Sequence, residues 1–370
     1  MINKIKNKVF ITTTATLSCA GKNSDELFYN TCNANTGIAS NTEYSYNISP
    51  SIGKIVSKNT FDKNITLQCQ NILDNSSLKN FEDTILIIGS SVGGMNNTEN
   101  SYFQNNTYKD IDTSKHNINT IANVIKQKFK FYDDISFSTA CTSSANALGY
   151  AYEVLKKGIY KNALVVGVDS LSKTTVNGFS SLGVLSSKPC QPFDKNREGM
   201  NVSEAIACLL IETESNENSV EICGVGYSSD AYHMTQPHPI GSKNAMQNAL
   251  NSAHIRFDEV NYINAHGTGT IANDNAEAQS ISEVFPNQPY VSSTKSITGH
   301  TLGAAGAIEA IISSKIIQNQ TVPKNAFLTN PENNTLNFSQ ETIKTKVNYV
   351  LSNSFAFGGN NCSLIFGKIK

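Results

Sequence analysis

No stretch of the 370-residue chain holds about 18 consecutive apolar residues, so the sequence predicts no membrane-spanning helix. There is no long basic run either, and 29 Lys+Arg against 30 Asp+Glu leave a formal net charge of −1. That balance gives no electrostatic footprint for a nucleic-acid backbone. The short strip Lys126, Lys128 and Lys130 reads as a solvated face. Eight cysteines (Cys19, Cys32, Cys69, Cys141, Cys190, Cys208, Cys223 and Cys362) show neither CxxC nor His/Cys metal spacing, so no metal site is expected. Scattered thiols in a chain of this length imply a reducing, cytoplasmic home. The start, MINKIKNKVFITTTATLSCAG, has a basic head like a secretory leader. VFITTTATL is too polar for a leader's apolar segment and predicts a first β-strand with a turn.

With 39% hydrophobic residues, the chain can bury the core of one large domain or two closely packed halves. Short β-branched runs alternate with helix-like runs. Strands are predicted at Val9–Thr13, Ile85–Ile88, Ile135–Thr139, Ala163–Val168, Ala207–Ile211 and Glu221–Tyr227, and further on at Tyr262–Ala265, Tyr290–Ser293, Tyr349–Ser354 and Ser363–Phe366. Between many of them lie helical stretches such as Ile118–Lys128, Ser143–Lys157 and Gly303–Asn319. Alternation of this kind indicates an α/β fold with buried sheets. The Asn-rich stretch Thr36–Asn80 and the segment Asn96–Lys115 read as insertions, and the polar residues 212–220 as an exposed joint between halves 1–216 and 217–370.

STACTSSANALGYAYEVLKKG and ITGHTLGAAGAIEAIISSKII form an internal repeat. In each, a β-type lead ends in Thr, a small residue, a reactive side chain and Thr, then runs into a helix that begins with small residues. Cys141 and His300 occupy the reactive position. Two strand–helix units related by a pseudo-dyad would aim both side chains into one central site. A thiol where a strand gives way to a helix meets free N–H groups and the positive dipole end, which lower its pKa. The other seven cysteines read as small core residues. Histidines also occur in glycine-rich turns after strands in NAHGTGT and STKSITGH, whereas His116, His238 and His254 read as surface residues.

Together these motifs resemble the β-ketoacyl-[acyl-carrier-protein] synthases, with the nearest likeness to the synthase I/II branch. The likeness is carried by Cys141 in TACTSS, His266 in NAHGTGT, Lys295 and His300 in TKSITGHTLGAAGA, SSDAYHMTQPHP (228–239) and NSFAFGGNN (353–361). It covers nearly the whole chain. It implies a duplicated thiolase-like fold, layered α-β-α-β-α with two mixed sheets. The first half would carry the nucleophile, the second half the two histidines and the lysine. It implies an acyltransferase of fatty-acid biosynthesis that performs a decarboxylative Claisen condensation with malonyl-[acyl-carrier-protein] and lengthens a fatty-acyl or polyene/polyketide-like chain by two carbons.

By the same resemblance Cys141 would carry the acyl group, and its N–H and that of Phe357 would form the oxyanion hole. His266 and His300 would hold the malonyl thioester oxygen. Lys295 would orient the site, with Glu309 as its structural partner. Thr268, Thr270 and the nearby Thr235 would bind the phosphopantetheine arm, Phe357 would gate the acyl pocket, and Phe355 would be core. The enzyme would need no cofactor of its own, since 4′-phosphopantetheine arrives on the acyl carrier protein. It would form a homodimer, or a heterodimer with a related subunit. ALVVGVDS (163–170) would be an apolar edge strand that favours pairing.

The sequence departs from the family pattern in four places. The first strand runs into ITTTATLSCAG rather than a Gly-x-Gly turn, and the 37–85 region is short. Met200, Ser203 and Ala205 replace an aromatic and two glycines. Ala356 replaces the glycine before Phe357, which would be strained if that position needs a positive φ. Two alternatives remain. One is a non-catalytic subunit that sets chain length, although such subunits usually lack the nucleophile. The other is a different thiolase-fold acyltransferase, for which Cys362 is the only second thiol at the right place.

Overall fold

The computed structural model describes residues 7–44, 49–78, 80–105, 107 and 109–369. The basic start Met1–Lys6 lies outside them. Eleven strands build the main sheet: β1 (Phe10–Ser18), β2 (Thr84–Gly89), β3 (Asp133–Phe137), β4 (Asn162–Asp169), β5 (Ala205–Glu212), β6 (Val220–Ser229), β7 (Tyr262–Asn264), β8 (Tyr290–Ser292), β9 (Asn337–Phe338), β10 (Tyr349–Phe355) and β11 (Asn360–Lys368). VFITTTATL thus forms a strand, and β1 lies antiparallel to β5.

The strand order is β9-β8-β7-β10-β11-β6-β1-β5-β4-β2-β3. Its two halves are copies. In the first, β1-β5-β4 are antiparallel and β4-β2-β3 parallel. In the second, β6-β11-β10 are antiparallel and β10-β7-β8 parallel. The two mixed sheets touch where β1 meets β6, and two residue pairs there, Phe10–Glu221 and Ile11–Val220, make them one continuous eleven-stranded sheet. The exposed residues 214–218 carry the chain from one half to the other.

The helices around the sheets include α1 (Phe61–Asp74), α2 (Asn119–Lys126), α3 (Ser143–Lys156), α4 (Lys173–Ser181), α5 (Pro239–Ala253), α6 (Ile271–Val284), α7 (Lys295–Thr298) and α8 (Ala305–Asn319). Helices α3 and α8 lie between the sheets and are buried nearly all round, as a helix covered on both sides must be. Helices α1 and α2 cover the outer face of the first half, and α5 and α6 that of the second. The result is five layers, α-β-α-β-α. The small residues of the repeat let α3 and α8 meet closely. A Cβ on Gly306 would lie 2.6 Å from the Ala145 nitrogen, and the Ala307 N–H donates to Ser144 Oγ at 2.9 Å.

Two expectations are corrected. The region 36–80 is not a bare insertion, because α1 within it packs on β1 and β5 through Ile65, Cys69 and Ile72. Those three form a narrow i, i+4, i+7 stripe, which the surrounding Asn, Asp and Lys residues hide. Nor is ALVVGVDS an edge strand. Strand β4 lies between β5 and β2, and its continuous apolar run reflects cover on every side. The outer edge of the first half is β3, where Asp133 and Asp134 are exposed.

Candidate active site

The turn between β3 and α3 presents the thiol. Ala140 has φ +52°, a conformation costly for a residue with a Cβ. Its carbonyl is held by Ser91 Oγ at 2.7 Å and Ser143 Oγ at 2.6 Å. The next side chain is Cys141. In the second half Gly299, at φ +67°, precedes His300 in the same way. A backbone kink thus stands before the reactive side chain in both copies of the repeat.

Cys141, His266, His300, Thr268, Thr270, Phe355 and Phe357 line one cavity with Phe179, Met200 and Asn273. The N–H groups of Phe357 and of Cys141 itself face the sulfur. Two N–H groups beside the sulfur are the kind of donor pair that a carbonyl oxygen bound next to the thiol would need on becoming an oxyanion. Phe357 sits in the β10–β11 turn, whose Gly358 and Gly359 take φ +85° and +77°. Ala356 is not among the positive-φ residues, so the strain expected there does not arise. A network ties this turn to the start of α3, next to Cys141: Asn360 Oδ1 accepts from Thr142 Oγ1 at 2.7 Å and from Asn146 Nδ2 at 3.0 Å.

The imidazoles of His266 and His300 stand edge to face, 5.3 Å between centroids. His300 Nδ1 accepts the Leu302 N–H at 3.1 Å, and His266 Nδ1 accepts from Lys295 Nζ at 3.2 Å. Both neutral rings therefore carry their proton on Nε2. Burial, followed by the Lys295 charge, holds both histidines well below their ordinary value, so they are neutral donors. Lys295 and Glu309, each 1% exposed, form a buried ion pair between α7 and α8. Burial pushes the Glu309 carboxyl up, and Lys295 pulls it back. Glu277 accepts the N–H groups of His266 and Gly267, both at 2.8 Å, and so anchors the loop that holds His266.

Thr268 and Thr270 hydroxyls are 2.9 Å apart at the cavity wall. Thr235 does not reach the Cys141 cavity. It lines the adjoining opening with Leu182, Gln236 and Ile271, which shares Thr270, Asn273 and Phe357 with the cavity. Phe355, expected to be plain core, lines the cavity, its ring 6.1 Å from that of His266. Cys362 lies fully buried within β11 and outside the cavity lining.

Sequence reading missed Phe179 on α4, whose ring packs 6.2 Å from that of Phe357. Nothing in KTTVNGFSS marks it. It also missed His238, which accepts the Ile240 N–H at 3.3 Å and caps α5. The thiol's acidity runs opposite to expectation. Burial pushes Cys141 up to about 12, outweighing the help of Lys295 and the two N–H groups. The free protein is therefore expected to react with iodoacetamide at Cys141 at a rate still rising as pH increases through 9, and a plateau below pH 8 would contradict this burial effect.

Residues 64–217 match the sequence model "Beta-ketoacyl synthase, N-terminal domain", and residues 219–329 match "Beta-ketoacyl synthase, C-terminal domain". The chain belongs to the β-ketoacyl synthase family. Among its relatives is the "3-oxoacyl-[acyl-carrier-protein] synthase 2" of Coxiella burnetii, 38% identical over 257 residues, 64% of this chain and 62% of that one. The protein of the same name from Vibrio cholerae is 36% identical over 259 residues, with the same coverage. The chain thus spans about 62% of the length of these curated relatives. Across nearly its whole length it resembles a chain of a ketosynthase in complex with its chain length factor from Xenorhabdus doucetiae, with a TM-score of 0.88 at 28% identity and 98% of each chain covered. A β-ketoacyl synthase from Burkholderia phymatum gives a TM-score of 0.89 at 26% identity, covering 98% of this chain and 100% of that one. The two family segments meet at residue 218, within the exposed connection between β5 and β6.

Proposed function

We propose that this chain is a ketosynthase that condenses an acyl group, held as a thioester on Cys141, with malonyl-[acyl-carrier-protein]. The observation that carries the reading is the convergence of one thiol, two backbone N–H groups and two Nε2–H imidazoles on a single buried cavity. The Cys141 sulfur attacks the incoming acyl thioester. The oxyanion is met by the N–H groups of Cys141 and Phe357, and the carrier's pantetheine thiol leaves with the proton that Cys141 gives up. Malonyl-carrier then enters with its thioester oxygen against the Nε2–H groups of His266 and His300. Carbon dioxide departs, and the electron pair it leaves forms an enolate held by those two donors. The enolate carbon attacks the Cys141 thioester, and collapse of that oxyanion expels the Cys141 thiolate. The product is a 3-oxoacyl chain two carbons longer on the carrier.

In this scheme Lys295, braced by Glu309, keeps His266 in the Nε2–H form. Thr268 and Thr270 hydrogen-bond the pantetheine arm, which enters past Thr235 in the outer opening. Phe357, stacked near Phe179, closes the acyl pocket. No cofactor is required, because the pantetheine comes with the carrier protein, and the acyl chain is of the fatty, polyene or polyketide kind. Eight cysteines scattered along the chain with no CxxC spacing fit a cytoplasmic setting. The test is mass spectrometry of the protein with acyl- and malonyl-carrier. We expect an acyl adduct on Cys141, then a product two carbons longer. A carrier product of unchanged length would sink the proposal.

The enzyme is further proposed to work as a dimer through the free edge of β3. The Xenorhabdus ketosynthase, which is complexed with a chain length factor, supports a related partner subunit as one form of that dimer. Light scattering after size exclusion is expected to give twice the 40.1 kDa chain mass, or a monomer that becomes active only with a related subunit. A fully active monomer would contradict both forms.

A further inference from the structure

One carboxylate has no part in the proposed mechanism, yet it lies between the two halves of the site. Asp169 ends β4 and is 1% exposed. Its Oδ1 accepts from Ser90 Oγ at 2.5 Å, the Ser91 N–H at 3.1 Å and the Val92 N–H at 3.1 Å. Its Oδ2 accepts from the Ser91 N–H at 2.9 Å and the Gly303 N–H at 2.6 Å. All five contacts come from donors, so the group is suited to act as an ionised acceptor. Burial pushes its pKa up, and the donors pull it down.

The donors belong to two loops, and each loop controls a reacting side chain. Ser91, bound through its N–H, gives its own Oγ–H to the carbonyl of Ala140, the positive-φ residue before Cys141. Gly303 follows Leu302, which has φ +53° and donates its N–H to His300 Nδ1. A Cβ on Gly303 would lie 2.4 Å from the Ser91 nitrogen and 2.8 Å from Asp169 Oδ2, so the loops touch at this carboxylate. Both Ala140 and Leu302 are non-glycine residues in a conformation that persists only where the surroundings over-determine it. One buried group braces both.

We propose that Asp169 is a positioning residue. Its carboxylate clamps the 90–92 loop, which holds the Ala140 carbonyl before Cys141, to the 302–304 turn, which holds the His300 ring, and so keeps Cys141 and the Nε2–H of His300 in register across the pseudo-dyad. The proposal rests on the ketosynthase reading for its catalytic readout. Asp169→Asn keeps the shape of the side chain but turns an amide NH₂ toward backbone N–H donors, which parts at least one loop from the clamp. A displacement of about 1 Å at the reacting groups is worth roughly 10²-fold in rate. Asp169 is not among the residues that line the Cys141 cavity, so the substitution leaves the cavity walls unchanged.

The experiment measures kcat and KM for condensation by Asp169→Asn, its thermal midpoint, and the pH profile of Cys141 alkylation. The ionisable groups around the thiol are Lys295, Asp169 and the neutral His266 and His300. The Asp169 charge raises the thiol's pKa, so its removal moves alkylation to lower pH. The expected outcome is kcat down roughly 10²-fold, KM within about twofold, and an alkylation profile shifted to lower pH. An easier-ionised thiol paired with slower turnover is not what loss of a merely structural residue produces. Wild-type kcat in a folded Asp169→Asn overturns the proposal, as does an unmoved alkylation profile.

If Asp169→Asn does not fold, Ser91→Ala decides. It removes only the link to Ala140, and acyl loading should fall while malonyl decarboxylation stays within about twofold of wild type. Unchanged loading overturns the clamp. A wild-type protein that forms no acyl-enzyme at all would sink the ketosynthase reading instead, and the alkylation profiles would still judge the clamp.

Discussion

Replacing Cys141 by serine is expected to lower condensation roughly 10⁴- to 10⁶-fold, the scale seen when a nucleophile is removed, while costing about 1 kcal/mol or less of stability. The site already pushes the thiol up to about 12. A serine hydroxyl is a much weaker acid than a thiol, so its alkoxide is further out of reach in the same buried cavity. The fold should hold, because the swap keeps the size of the side chain and the turn is set by Ala140, Ser91 and Ser143 rather than by the sulfur. Intact-mass measurement of the acyl-enzyme checks the first part, and a urea titration the second. Elongation near the wild-type rate would remove Cys141 from its role.

His300→Ala and His266→Ala are expected to slow malonyl decarboxylation by about 10²- to 10³-fold each, the loss typical of one donor to a developing oxyanion. Acyl loading on Cys141 should fall less than about tenfold, because loading relies on the two backbone N–H groups. Carbon dioxide release and acyl-enzyme formation, measured separately, test this division, and equal loss in both steps would refute it. The burial of both rings adds a pH expectation. They are held well below 6.5, so decarboxylation should not decline as pH falls through that value. A decline centred near 6.5 would mean that the rings protonate there and stop acting as neutral donors.

The repeat that pairs Cys141 with His300 was legible because both copies keep the same local grammar: a β-lead, a kink, a reactive side chain and a helix of small residues. The structure gives it backbone form in Ala140 and Gly299, both at positive φ. Helix α1 was not legible, since three buried positions do not stand out from a polar background. The edge strand was misassigned because a continuous apolar run reports total cover and says nothing about which neighbours supply it. In the first half it is the charged strand β3 that forms the sheet edge.

The sequence by itself determined the alternation of strands and helices, the duplication, and which side chains, Cys141 and His300, stand at the matching position of the repeat, because each is written in short local patterns. Only the tertiary structure decided how those residues are tuned. The Cys141 thiol is raised because layers from both halves exclude water from it, an effect that outweighs Lys295 and the N–H groups of Phe357 and Cys141. His266 is fixed as an Nε2–H donor by Lys295, 29 positions away. Asp169 reaches Gly303 across 134 positions, and Asn360 reaches Thr142 across 218. Desolvation and contacts between distant segments depend on which surfaces come together in space, and no local pattern of residues carries that information.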